Sequence, residues 1–242
     1  MYNNILGALK EQVKNQIHKR GWIVCQLRNL PAGIDIAYDL SNRINSYNFK
    51  TIFDCGAHRG ETAINFSKKF PSAKIYSFEP VQSNFESLRK NVEKYPQISS
   101  YNFALGDKEE TIAIQINSDS QTHSLKNRVT ENEKQNSEVI QVITIDSFLS
   151  SHCIASIDLL KIDTEGYELN VLQGAKQSLT SNKINFVIAE ATILENNNYH
   201  TNIRLIDDYL KLYGYQITTI YDQVIWNNPS RLLYFNVLFS RK

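Results

Sequence analysis

The feature that most constrains this chain is a repeated alternation. Short apolar runs at Thr51–Phe53, Lys74–Phe78, Tyr101–Ala104, Ile157–Ile162 and Asn185–Ala189 are mostly followed by helical patterns, at Glu61–Phe70, Ser83–Lys94, Tyr167–Leu179 and Ile203–Tyr213. Strand followed by helix, several times over, predicts an α/β fold around a parallel sheet. The runs IDLLKI and NFVIA are almost wholly apolar, as expected for strands covered on both faces. A chain of 242 residues can bury roughly 70–75% of its unfolded surface, enough for a self-sufficient core.

Two segments depart from the alternation. TIAIQI (111–116) and EVIQVITI (138–145) alternate with period two, so they read as antiparallel strands. The polar stretch 117–136 between them is long enough to be a flap over a site. Near the end, YQITTIYDQVIW (215–226) and LLYFNVLFS (232–240) are joined by only NNPSR. That link is too short for a parallel crossover, so the pair must form an antiparallel hairpin. The expected fold is therefore a Rossmann-like sheet, mostly parallel, ending in an antiparallel hairpin and carrying helices on both faces. Residues 1–48 read as a helical extension and 49–242 as one domain. Ile5, Leu6, Leu9, Val13 and Ile17 recur at helical spacing, a face for the domain or for a second copy of the chain.

The bulk properties exclude several classes. At 42% hydrophobic and 21% charged, the chain is not globally disordered. A formal net charge of +1 argues against dedicated nucleic-acid binding, which favours a basic excess. Cys25, Cys55 and Cys153 form no C-x-x-C pair, against both a disulfide framework and a zinc ribbon. A reducing, cytoplasmic home is expected. No stretch approaches the ~18 apolar residues of a membrane span, and the N-terminus lacks a signal-peptide pattern.

In open α/β sheets the ligand sits beyond the carboxyl ends of the strands. Here those ends carry Asp54, Glu79, Asp163 and Glu190. A cluster of carboxylates suits a cationic or hydroxyl-rich ligand, or a metal. The turn after the first strand, DCGAHRGET, holds Gly56 and Gly60 but not the third glycine of a dinucleotide fingerprint, and no G-K-[ST] follows. Glu79 ends the next strand, where an acid accepts the two hydroxyls of a ribose. A ribose without phosphates, beside carboxylates, fits S-adenosylmethionine, whose sulfonium and ammonium are both positive.

The segments DCGAHRGET, SFEPVQSNF, YNFALGD, SFLSSHCIASIDLLKIDTEGYELNVLQGAKQSL and FVIAEAT resemble, in order, the FkbM family of S-adenosylmethionine-dependent methyltransferases, over about residues 50–195. The resemblance implies a class I methyltransferase sheet whose last strand is antiparallel. It also implies a cofactor site: Gly56, Ala57, His58 and Gly60 against the methionine portion, with Asp54 at the foot of that turn, Glu79 on the ribose, and Ala104 and Leu105 beside the adenine. His58 stands where many relatives have Asn.

Methyl transfer to a hydroxyl needs in-line positioning and a proton acceptor. The candidates are Asp163, which ends the central strand, then Glu165, Glu190 and His58, with His123 in the flap. Glu168 reads as a helix-surface residue, and Lys161 as a neutraliser of a neighbouring acid. Mg²⁺ shared by Asp163 and Glu190 is a rival explanation of the acids; no metal is assigned. The expected acceptor is a hydroxyl on a sugar, glycolipid or secondary metabolite. The alternatives are a nicotinamide-dependent oxidoreductase and a non-catalytic cofactor-binding partner subunit.

Overall fold

A computed structural model describes residues 2–44, 48–116, 137–195, 197, 199–227 and 230–241. The segment 117–136, and His123 with it, lies outside the described residues, as do the side chains of Ile5, Leu6 and Leu9. In chain order the main elements are α1 (Tyr2–Lys19), α2 (Ile36–Asp39), β1 (Thr51–Cys55), α3 (Glu61–Lys69), β2 (Lys74–Phe78), α4 (Gln82–Val92), β3 (Ile98–Tyr101), β4 (Ala104–Leu105), β5 (Glu110–Gln115), β6 (Ser137–Ile143), α5 (Ile145–Ser151), β7 (Ile157–Ile162), α6 (Glu168–Gln173), α7 (Lys176–Thr180), β8 (Ile184–Ala191), α8 (Ile203–Lys211), β9 (Tyr215–Asn227) and β10 (Ser230–Arg241).

Seven strands form one sheet in the order β3–β2–β1–β7–β8–β10–β9. The strands from β3 to β8 pair in parallel, whereas β10 runs antiparallel to both β8 and β9. The chain leaves β1 toward β2 and β3, then returns to lay β7 on the other side of β1, with Ile52 beside Leu159. The point between β1 and β7 is thus where strand order reverses, and the crevice beyond it is where such sheets bind ligands. The expected antiparallel pair, β5 and β6, is present, but in a separate three-stranded sheet with β4.

Successive residues of a strand face opposite sides, so each central strand feeds two cores. Phe53, Leu160, Val187 and Val237 lie on one side of the sheet. Ile52, Leu159, Ile188 and Leu238 lie on the other, with Leu40 and Phe49 packed against them. In the first core Phe148 of α5 stands edge-on to Phe53, Tyr76, Phe78 and Tyr101, at centroid distances of 5.0–5.8 Å. These edge-to-face contacts add to the burial of apolar area. At the base of the sheet, Asp158 Oδ2 accepts the N–H groups of Lys50 (2.6 Å) and Thr51 (2.9 Å), tying the start of β1 to β7.

Two details differ from the sequence expectation. The run Tyr101–Ala104 is divided between β3 and β4, so its two ends serve different sheets. The helical pattern Tyr167–Leu179 forms two helices that break at Gly174 and Ala175. A Cβ on Gly174 would lie 1.9 Å from the Gly106 carbonyl oxygen, so the break lets this chain segment touch the loop after β4. In TIDSF, Thr144 caps α5 by accepting the Ser147 N–H. Asp146 instead reaches over to α7, accepting the N–H groups of Gln177 (2.8 Å) and Ser178 (2.9 Å).

No helix among the described residues is long and apolar enough to cross a membrane.

Candidate active site

The turn after β1 is shaped by close approach. Gly56 has φ +78, and a Cβ there would lie 1.8 Å from the Asp163 carbonyl oxygen, so the turn rests directly on the end of β7. The N–H groups of Gly56 and Ala57 both donate to the Phe78 carbonyl, at 3.1 and 3.0 Å. His58 has φ 48, a left-handed conformation for which Asn, Asp and His are enriched. That preference gives a physical reason for Asn or His at this position. Gly60 has φ +90 and caps α3; a Cβ there would lie 2.7 Å from Leu88 of α4, so Gly60 serves the packing of α3 on α4 and is outside the cleft lining.

Glu79 is nearly fully buried at the end of β2. Its Oε2 accepts the His58 N–H at 2.9 Å and its Oε1 accepts the Val81 N–H at 3.0 Å. The Asn84 side chain also hydrogen-bonds to this carboxylate, and a position for a further donor remains on it. Burial pushes this carboxyl up to about 7, with the bonds from Val81 and His58 opposing the rise.

Beneath the turn, Lys161 of β7 is buried. Its ammonium lies 3.0 Å from Asp54 Oδ1 and 3.4 Å from Asp163 Oδ2, and donates to the Gly56 carbonyl at 3.0 Å. Burial opposes the Lys161 charge, but Asp54 and Asp163 outweigh it and hold the group above its ordinary range. Burial raises the Asp54 carboxyl in spite of Lys161. Asp54 is wholly enclosed and outside the cleft lining; the Asp163 side chain is 35% exposed and lines it. Cys55 is buried and its thiol is pushed up by burial, as an inert packing residue would be.

At the end of β8, Glu190 is also nearly enclosed. Its Oε2 lies 3.2 Å from Nε2 of His200, whose ring stacks on Tyr234 at a centroid distance of 4.4 Å. Burial pushes the Glu190 carboxyl up to about 7, opposed by its contact with His200 and reinforced by Asp163. Glu165, in the loop after β7, has φ 51, and brings a carboxylate oxygen to the same place; the donor atoms of Glu165, Glu190 and His200 all lie within 4.8 Å of one another.

Glu168 is not on the helix surface as expected: it is fully buried. Its Oε1 accepts the N–H groups of Thr164 (3.0 Å) and Gly166 (2.9 Å), and its Oε2 accepts the N–H and hydroxyl of Thr201. One carboxylate therefore fixes both the Asp163–Gly166 loop and the segment that carries His200. The Thr164-to-Glu168 spacing resembles a capping box one residue too long, and that was the available signal. For His200, Thr201 and Tyr234 nothing local marks a site, because only the fold returns those segments to the strand ends.

These residues enclose a cleft of about 440 Å³ at the switch point. Phe78, Val81, Ala104, Leu105 and Ile114 form apolar wall; Glu79, Asp163, Glu165 and Glu190 form acidic wall; Ala57 and His58 also line it. Lys161 is the only lysine or arginine among the described lining residues, and it is already paired. A cationic ligand with an apolar ring and ribose hydroxyls matches these walls group by group.

The match to a family model gives the same direction. The sequence model of the methyltransferase FkbM domain matches residues 54–217. Among curated relatives, the hexuronic acid methyltransferase AglP of Haloferax volcanii is 28% identical over 142 residues, covering 57% of this chain and 54% of that protein. The 2-O-methyltransferase NoeI of Sinorhizobium fredii is 24% identical over 152 residues, covering 57% and 62%. The chain thus spans between half and two-thirds of the length of these relatives. Among solved structures, M. capricolum TrmK in complex with S-adenosyl-homocysteine aligns with a TM-score of 0.48 at 15% identity, covering 90% of this chain and 69% of that one. The family match takes in about two-thirds of the chain, from the end of β1 to the start of β9, and the chain belongs to the methyltransferase FkbM domain family.

Proposed function

We propose that this chain is an S-adenosylmethionine-dependent methyltransferase that methylates a hydroxyl group of a sugar or sugar-bearing acceptor. The observation that carries the reading is the buried Glu79 carboxylate facing a cleft with both an apolar and an acidic wall, at the sheet's switch point. The cofactor reading is favoured over a dinucleotide by the turn itself. The N–H groups of Gly56, Ala57, His58 and Gly60 are all engaged within the protein, so they do not form the open cradle that a pyrophosphate uses. The sugar reading draws support from the names of the two relatives and from the acidic, hydroxyl-suited wall.

In this reading Glu79 accepts the ribose hydroxyls, and Ala104 and Leu105 cover one face of the adenine. Gly56, Ala57 and His58 bound the methionine portion, with Asp54 and Lys161 as the buried charge pair beneath. The bound cofactor supplies a methyl group on a positively charged sulfur, open to in-line displacement by an oxygen. Asp163, at the end of the central strand and facing the cleft, takes the acceptor's hydroxyl proton as the oxygen–methyl bond forms; the electron pair of the broken carbon–sulfur bond remains on sulfur. Glu165 stands beside it at the acceptor's entrance.

The test is transfer of a tritiated methyl group from S-adenosylmethionine to purified sugars, glycans and glycolipids, with RNA and protein fractions alongside. Label should enter a sugar-bearing fraction. Asp163→Asn should cut transfer by about 10²- to 10⁴-fold while S-adenosylhomocysteine binding stays within a few-fold. Label confined to RNA or protein would refute the acceptor class, and full turnover by Asp163→Asn would remove that residue from the reaction.

A further inference from the structure

The acidic wall contains an arrangement that cofactor binding leaves unexplained. Asn197 Oδ1 accepts the N–H groups of Tyr199 (2.8 Å) and His200 (3.0 Å), which identifies that atom as the carbonyl oxygen rather than the amide nitrogen. It is also 3.3 Å from His200 Nδ1. An oxygen can only accept, so Nδ1 carries the proton, and in the neutral ring Nε2 presents a lone pair. Nε2 lies 3.2 Å from Glu190 Oε2, which has no hydrogen-bond partner among the described residues. The Glu190 side chain is only 10% exposed. An ionised Glu190 beside a neutral ring places two electron-rich atoms 3.2 Å apart in an enclosed place, a contact relieved by a shared proton or by a metal ion.

The surroundings are built to hold them there. His200 is sandwiched by its bond to Asn197 and its stack on Tyr234, the arrangement by which a ligating imidazole is usually oriented through its other nitrogen. Glu168 pins the loop of Glu165 and the segment of His200 through the same carboxylate. No lysine or arginine among the described residues pairs with Glu190, and Lys161 is engaged by Asp54, Asp163 and the Gly56 carbonyl. The three donor atoms lie within 4.8 Å of one another. Neighbouring ligands of a six-coordinate ion with bonds of ~2.1 Å lie about 3 Å apart, so a modest rotation of the carboxylates completes the set.

We infer that Glu165, Glu190 and His200 form a divalent-cation site in the wall of the cleft. Two carboxylates and one imidazole suit Mn²⁺ or Mg²⁺ and leave about three positions open. Resting on the proposed methyltransferase reading, those positions would take oxygen atoms of the acceptor, two neighbouring hydroxyls or a hydroxyl and a carboxylate. The ion would then act as a Lewis acid that eases loss of the hydroxyl proton and as a template that aims the oxygen. This ligand set differs from the Asp163–Glu190 pair that the sequence offered only as a rival explanation of the acids: Asp163 lies by Lys161, whereas Glu190 lies by His200.

The experiment titrates the chelator-treated full chain with MnCl₂, following free Mn²⁺ by electron paramagnetic resonance. One saturable site per chain is expected, weakened at least tenfold by Glu190→Gln and by His200→Ala and unchanged by Glu11→Gln on α1. Both site variants should still bind S-adenosylhomocysteine within a few-fold, which shows that they are folded. Absence of saturable binding below about 1 mM, an affinity of only ~4 kcal/mol, would overturn the metal site, as would saturable binding that ignores both substitutions. Loss of the metal site with homocysteine-product binding intact would leave the methyltransferase reading standing; failure of the wild type to bind that product would overturn the methyltransferase reading, and the Mn²⁺ titration would still decide the site itself.

Discussion

Glu79 shows how much chemistry one residue carries. Burial pushes its carboxyl from an ordinary 4.5 up to about 7, so in the empty cleft it is part-protonated near neutrality. Ribose hydroxyls donate to the ionised form, so binding and ionisation are linked. Affinity for S-adenosylhomocysteine should therefore rise as pH goes from about 6 to about 8 and then level off, with proton release on binding at the lower pH. Calorimetry in buffers of different ionisation heat would read that proton, and Glu79→Gln should abolish both the release and the pH dependence. In the empty protein the sign is opposite. The folded value lies above the unfolded one, so Glu79 favours the fold below about 4.5 relative to neutrality, and that benefit is lost as pH rises through about 7. Glu79→Ala removes the acceptor, and at ~1.5–3 kcal/mol for a hydrogen bond to a charged group affinity should drop about 10- to 100-fold. Glu168 carries structure instead: Glu168→Ala would leave the N–H groups of Thr164, Gly166 and Thr201 without their partner. Unfolding in urea should show a loss of about 3 kcal/mol or more; a loss under about 0.5 kcal/mol, typical of surface changes, would contradict that role.

At the scale of elements, the site depends on two strand ends that meet. Gly56 lets the turn after β1 sit on the backbone of Asp163 at the end of β7. Gly56→Ala must push these apart, and its φ of +78 is also unfavourable for alanine. The expected result is a loss of stability of several kcal/mol and of S-adenosylhomocysteine binding together; a normally stable, binding-competent variant would show that the approach is dispensable. The strands that make this junction were legible because buried strands must be apolar: IDLLKI coincides with β7, and the run Thr51–Phe53 falls within β1. So was the terminal hairpin, since NNPSR is too short for anything else. The split of the helix at Gly174 was less legible, because its cause is the Gly106 carbonyl, far away in sequence. The same reason hid His200 and Tyr234. Their partners, Glu190 and each other, are brought together by the fold rather than by any local pattern. Glu168 was misread because an acid in a helix's first turn ordinarily needs no more than the helix dipole to explain it.

For the whole molecule, the sheet order and the direction of its strands place one acidic and one apolar wall at the switch point between β1 and β7. Asp54, Glu79, Asp163 and Glu190 were readable as strand ends, and the fold divides them: Asp54 is sealed beneath with Lys161, while the other three face the cleft. The family match fixes the lineage, and the chemistry of the walls points to the cofactor. The most direct measurement is isothermal calorimetry of the purified chain with S-adenosylhomocysteine, with NADH in parallel. The account predicts one S-adenosylhomocysteine site per chain, weakened by Glu79→Ala, and no NADH binding. NADH binding with no response to S-adenosylhomocysteine would contradict it.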